Sequence, residues 1–197
     1  MININSLDKL IEDSENEILN IRPDTEKKII WANQNKVKTK ISLIFIHGFS
    51  ATRAELDPVI EMLGKELNAN IFFTRLRGHG LDGEALAEAT FDDWMIDTKE
   101  AIDIGNAIGD RLILIGCSTG CSLIHANLQY TENALAIIYV SPNFGPKSFF
   151  GQLLRIPGAK WFIPFIFGKE YSFVPRNADH ARCWTTSYPI KALFAVK

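Results

Sequence analysis

Residues 116–120 of this sequence read Gly-Cys-Ser-Thr-Gly, a G-x-S-x-G pattern directly after the apolar run Leu112, Ile113, Leu114 and Ile115. A serine at a sharp turn between a strand and a helix stands in strained backbone, and bulky side chains two positions to either side would collide with that turn. Gly116 and Gly120 are the residue type such a turn requires. The Ser118 hydroxyl would then stand clear of the sheet at a helix N-terminus, where free N–H groups and the helix dipole favour developing negative charge. That arrangement suits nucleophilic attack on a carbonyl carbon. An ordinary glycine-rich strand–helix turn satisfies the same five residues, so the surrounding elements have to decide.

Those elements alternate. Residues 41–46 are continuously apolar apart from Ser42, as expected of a strand buried on both faces of a parallel sheet, and they end in His47-Gly48-Phe49-Ser50. A glycine after a buried strand lets the chain turn and aims the next backbone N–H, that of Phe49, into the crevice at the strand's carboxyl end. The His47 side chain is expected to be satisfied within the loop. Residues 53–68 predict a helix, with Leu56, Val59, Ile60, Leu63 and Leu67 on one face and Pro58 near its start. Residues 70–74 read as a strand leading into Arg75-Leu76-Arg77-Gly78-His79-Gly80, where the glycines suit a turn. Residues 91–108 predict a second helix with Asp92 or Asp93 in its first turn. After the Ser118 strand come a helix over about 119–129 and a strand over 135–140. Residues 28–32 predict a further strand, and within 1–24 a short polar helix carries Leu7, Leu10 and Ile11 on one face. Strands alternating with helices build a mostly parallel α/β sheet flanked by helices.

After Pro142 the character changes. Phe149, Phe150, Leu153, Leu154 and Ile156, then residues 161–167 (WFIPFIF), are rich in aromatics and interrupted by prolines. This block reads as an apolar cap over the crevice, followed by a stretch helical at both ends and broken around Tyr188 and Pro189. The expected organisation is therefore a polar helix and linker over 1–26, a core over 27–143, and an incomplete cap over 144–197.

Length and composition bound the partners. A chain of 197 residues suits one domain, and a net charge of −2 argues against nucleic acid or an anionic surface as the main partner. The acidic N-terminal stretch lacks the basic start and apolar core of a signal peptide, and no run approaches the ~18–20 apolar residues of a membrane span. Three cysteines, Cys117, Cys121 and Cys183, form no disulfide framework, so reduced thiols and a cytoplasmic location are expected. Cys117 and Cys121 have no further Cys or His at ligand spacing, so no metal and no cofactor are expected. Neither a G-x-G-x-x-G after the first strand nor a G-x-x-x-x-G-K-[ST] occurs, which sets aside nucleotide binding.

Taken in order, His47-Gly48-Phe49-Ser50, Arg77-Gly78-His79-Gly80, Trp94 with Asp97, and the Gly116–Gly120 pentapeptide resemble the α/β-hydrolase superfamily. The resemblance is to its capped serine esterases and lipases of the monoglyceride-lipase, lysophospholipase and carboxylesterase types. It covers about residues 27–143. It implies that Ser118 is the nucleophile, that the backbone N–H groups of Phe49 and Thr119 form an oxyanion hole, and that the substrate is a small-molecule ester with an apolar acyl group.

The family orders its triad as Ser, then Asp or Glu, then His, with the last two on strands beyond the cap. Such strands are not recognisable here, and the expectation is of a C-terminally truncated hydrolase. His125 lies about two helical turns from Ser118, too far for a hydrogen bond. His79 matches no base position, and Asp179 and His180, as neighbours, point different ways. A serine without its base is a weak nucleophile, and losing the histidine alone costs on the order of 10⁶ in kcat. The 197-residue chain is therefore expected to be nearly inactive. The competing expectation is a catalytically dead hydrolase-fold protein that binds a ligand or partner.

Overall fold

A computed structural model describes residues 2–145, 152 and 156–196. Its central sheet has five strands: β1 (Lys28–Ile30), β2 (Thr39–Ile46), β3 (Asn70–Phe73), β4 (Gly109–Cys117) and β5 (Ala134–Val140). They lie in the order β1-β3-β2-β4-β5, and all neighbours are parallel except the antiparallel β1–β3 pair. The chain moves outward from β2 to β3 and then returns to place β4 on the other side of β2. Where the winding reverses, the connections leave adjacent strands in opposite directions and open a crevice at their carboxyl ends. The residues that emerge there are 47–49 from β2 and 118–119 from β4.

The continuous apolar runs serve both faces of the sheet. On one face Ile44, Ile46, Phe72, Leu112 and Leu114 pack with Trp94, Ala101, Ile104 and Ile108 of α4 (Phe91–Ile108) and with Leu123 of α5 (Thr119–Ala126). On the other, Leu43, Phe45, Ile71, Phe73, Ile113 and Ile115 pack with Ile60 of α2 (Val59–Glu66). The period-2 alternation along each strand divides the run between two cores. The first helix, α1 (Leu7–Asn16), lays Leu7 and Ile11 against the first face.

The helix expected over 53–68 is two pieces. A 3-10 turn covers Arg53–Leu56, and α2 starts at Val59. Asp57 between them is extended (φ −67°, ψ 135°), the conformation a following proline imposes. The break changes the phase, so Val59 points to solvent while Ile60 is buried. In α1, Leu10 is exposed, and the third buried position belongs to Glu15. β1 is shorter than expected. α5 ends at Ala126 and is followed by a 3-10 turn at Leu128–Tyr130. A short helix, α3 (Gly83–Glu88), was not expected at all; Asp82 caps it by accepting from Ala85 N.

Beyond residue 145 the described elements are α6 (Ala159–Phe167), the hairpin strands β6 (Glu170–Ser172) and β7 (Ser187–Pro189), α7 (Ala178–Cys183) and a 3-10 coil at Ile190–Val196. Phe149, Phe150, Leu153 and Leu154 of the aromatic block lie outside the described residues. Among the described residues no helix is long and apolar enough to cross a membrane.

Candidate active site

Ser118 occupies the turn between β4 and α5 with φ 51° and ψ −112°, a backbone region that a residue with a side chain rarely adopts. Three hydrogen bonds over-determine it: Ser118 N donates to Val140 O at 3.0 Å, and Ser118 O accepts from Cys121 N and Asn143 N, each at 3.1 Å. The glycines are there because their neighbours arrive too close for a side chain. A Cβ on Gly120 would stand 2.1 Å from Ile46 O, and one on Gly116 would stand 2.8 Å from Cys121 N. The Ser118 side chain does not cap the helix it begins, so its hydroxyl is left half-exposed.

The loop after β2 lies against this turn. A Cβ on Gly48 would be 3.1 Å from Ser118 Cβ and 3.3 Å from Cys117 O. Gly48 O accepts from Ala51 N (3.2 Å) and from His47 Nδ1 (3.0 Å), and Ser50 O accepts from Thr185 N (2.8 Å), which moors the loop to the C-terminal segment. Among the described residues no acceptor takes the N–H of Phe49 or of Thr119. The structure thus lays Gly48, which precedes Phe49, against the Ser118 turn, which Thr119 follows, and leaves the N–H groups of Phe49 and Thr119 without a described acceptor.

Behind the loop, the other motif segments clasp one another. Trp94 Nε1 donates to Arg77 O at 2.9 Å, and Arg77 N donates to Asp97 Oδ2 at 2.6 Å. His79 packs between His47 and Trp94 with ring centroids 4.8 and 5.3 Å away, and Phe49 lies against Trp94, His79 and Tyr188. Burial holds Asp97 up at about 6, opposed by the Arg77 N–H. Burial likewise drives His47 down to about 4 and His79 well below its ordinary value, so both rings are neutral at pH 7.

None of the four histidines hydrogen-bonds Ser118 among the described residues. His47 uses both ring nitrogens on Gly48 O and Leu76 N, and His79 faces Arg77 O. His125 meets the Tyr139 and Phe144 rings edge-on, and His180 accepts from Arg176 N. Cys117, Cys121 and Cys183 are free, buried thiols, and no cluster fit to hold a metal occurs among the described residues. Beside the elbow, Phe91, Thr119, Ser122, His125, Asn143 and Phe144 help line a pocket of about 260 Å³. A larger groove of about 700 Å³, between α1 and residues 18–29, contains no elbow residue.

One residue at the site escaped the sequence reading. Glu55, counted there only within a helix, points its carboxylate into the loop: Gly48 N donates to Glu55 Oε2 at 2.6 Å, and the Cys117 thiol lies within electrostatic reach of the same carboxylate. Flanked by Arg53 and Asp57, it carries no signal in the sequence that sets it apart from a solvated helix residue.

A model of the alpha/beta hydrolase family matches residues 43–194. Among curated proteins none matches the sequence significantly. Among solved structures, one of LipS and LipT, two metagenome-derived lipolytic enzymes, aligns at 19% identity over 89% of this chain and 68% of its own, with a TM-score of 0.71. The monoacylglycerol lipase of Paleococcus ferrophilus aligns at 16% identity over 86% of this chain and 67% of its own, with a TM-score of 0.55. A soluble variant of the Saccharomyces cerevisiae monoglyceride lipase, in complex with a substrate analog, aligns at 15% identity over 87% of this chain and 62% of its own, also at 0.55. These likenesses show a shared fold, and the chain spans about two thirds of the length of these structures.

Proposed function

This chain belongs to the alpha/beta hydrolase family, and from that premise we propose that it carries the nucleophile and oxyanion hole of a serine hydrolase of carboxylic esters. Ser118 Oγ attacks the ester carbonyl, and the N–H groups of Phe49 and Thr119 receive the oxygen on which charge develops. The observation that carries this reading is the Ser118 turn at φ 51° facing two backbone donors that no described acceptor occupies. Such a donor is worth on the order of 10²–10³ in rate, because it is already oriented and costs no reorganisation during reaction.

An apolar acyl group suits the aromatic wall that Phe91 and Phe144 lend to the adjacent pocket. Residues 144–197 are read as a cap over a core of residues 27–143, with 1–26 as a polar helix and linker. The outward Phe165 and Ile166 of α6 suit an apolar cap. Three free thiols suit a reducing compartment such as the cytoplasm.

With no histidine at Ser118 among the described residues, these 197 residues alone turn over slowly. The same observation supports the second reading, a silent hydrolase-fold binder. A fluorophosphonate probe separates the two. Slow mass addition at Ser118 on prolonged exposure, with negligible hydrolysis of a short-chain aryl ester, is expected, and Ser118→Ala abolishes the addition. Absence of any labelling favours the binder, while brisk ester turnover that survives Ser118→Ala refutes the assignment of the nucleophile.

A further inference from the structure

The geometry points to Glu55 as a positioning residue that fixes the His47–Gly48 peptide, and through Gly48 the placement of the next peptide, whose Phe49 N–H stands open toward Ser118; this rests on the reading of Ser118 as nucleophile. Gly48 is held at both of its backbone groups. Its N–H is taken by Glu55 Oε2 at 2.6 Å, while its C=O accepts from Ala51 N and His47 Nδ1. In a planar trans peptide the N–H points opposite to the preceding C=O. With the Gly48 carbonyl turned toward Ala51 and His47, the Phe49 N–H therefore faces away from both. Without Glu55 the His47–Gly48 peptide would lose the bond to its N–H, and Gly48, which has no side chain, could rotate between the two peptide planes.

Glu55 also reaches the other half of the site. A Cβ on Gly48 would lie 2.9 Å from Glu55 Oε1 and 3.1 Å from Ser118 Cβ, so the carboxylate and the serine share one side of the loop. The Cys117 thiol, one residue before Ser118, lies within electrostatic reach of the same carboxylate. The side chain thus bonds the loop after β2 while standing alongside the turn after β4. The titratable groups that face it are Cys117 on β4 and Cys121 on α5; Arg53, on its own turn, is directed at Asp24 and the Phe73 ring. With burial and no facing cation, the Glu55 carboxyl is raised above its ordinary value, and burial with the nearby carboxylate pushes Cys117 to about 12.

A carboxylate so close to a developing oxyanion repels it. The neutral amide of glutamine keeps an acceptor for Gly48 N–H without the charge. A merely structural Glu55 would not distinguish these two states in the reactivity of Ser118.

The test uses amide NMR and fluorophosphonate labelling on the full chain, its Glu55→Ala and its Glu55→Gln variants. The Gly48 amide proton should lie downfield in the parent and titrate with a midpoint above the ordinary glutamate value of 4.5. In Glu55→Gln it should stay hydrogen-bonded but cease to titrate, and in Glu55→Ala the Gly48 and Phe49 amides should move together. Labelling of Ser118 should slow by about tenfold or more in Glu55→Ala, and Glu55→Gln should restore it to the parent rate or above. A Gly48 amide indifferent to Glu55→Ala overturns the proposal, as does parent-rate labelling once that bond is lost. If Glu55→Ala does not fold, the titration present in the parent and absent in Glu55→Gln decides. If the parent chain is not labelled at all, the reading of Ser118 fails separately, and the amide shifts still decide whether Glu55 sets the peptide.

Discussion

Replacing Glu15 by alanine should cost the fold about 3–5 kcal/mol, the penalty of stranding one member of a buried ion pair. Glu15 is 8% exposed and Arg75 3%. Arg75 Nε meets Glu15 Oε2 at 2.7 Å and Nη2 meets Oε1 at 2.8 Å, the two parallel bonds of a fork. Oε2 also accepts from Lys27 N at 2.9 Å, so one carboxylate holds α1, the segment before β1 and the loop after β3. Without it, the guanidinium retains, among the described residues, the 3.2 Å bond to His79 O alone, and the Lys27 N–H loses its acceptor. The lost amide bond is part of the same penalty and is not added to it. Against a total of about 5–15 kcal/mol for a domain, this removes much of the margin. Urea unfolding reads it directly. With a slope of about 1–3 kcal/mol per molar, a 4 kcal/mol loss moves the midpoint down by more than about 1 M. Glu15→Leu combined with Arg75→Met should recover most of the loss, because two apolar side chains carry no desolvation penalty. A Glu15→Ala stability within about 1 kcal/mol of the parent would refute the reasoning by showing that water reaches Arg75, and a double variant no better than the single would refute it by showing that the stranded charge is not the cause.

Gly120→Ala should destabilise by about 3 kcal/mol or more, since its Cβ would stand 2.1 Å from Ile46 O and 2.9 Å from His47 O, both backbone atoms at the end of a central strand. Gly116→Ala, with nearest atoms at 2.8 Å, should cost less; thermal unfolding of the pair in the reverse order would contradict this. Asp97 supplies a pH dependence. Its folded value of about 6 exceeds the ordinary 3.8, so the native state holds the proton more tightly and stability falls as pH rises from about 4 to about 6. Asp97→Asn should flatten that fall, and equal slopes of urea midpoint against pH in both proteins would count against it.

Where a structural cause is local, it is legible from the sequence. The Ser118 turn needs glycine two residues away on each side, and both are written within five positions. The helix at Phe91–Ile108 begins with a capping box in which Thr90 and Asp93 exchange hydrogen bonds three residues apart, so its start is readable. The two-faced apolar strands are readable because a period of 2 needs no distant partner. The effect of Pro58 is local too, but a proline near a helix start is equally compatible with continuing the helix and with restarting it, and the tertiary packing of Ile60 selects the restart.

The residues that apolarity misplaced are those whose reason lies far along the chain. By hydrophobicity Leu10 belongs inside and Glu15 outside. The structure reverses them because Arg75, 60 residues away, requires a carboxylate. Glu55 follows the same logic, with its partner 7 residues before it in the Gly48 N–H. Buried charge is the common factor. A helix pattern registers only the cost of placing a carboxylate inside, whereas the compensating donor is invisible until the chain has folded. An acidic residue that falls in line with the apolar residues of a buried face, as Glu15 does four positions after Ile11, is therefore the place to look for a long-range partner.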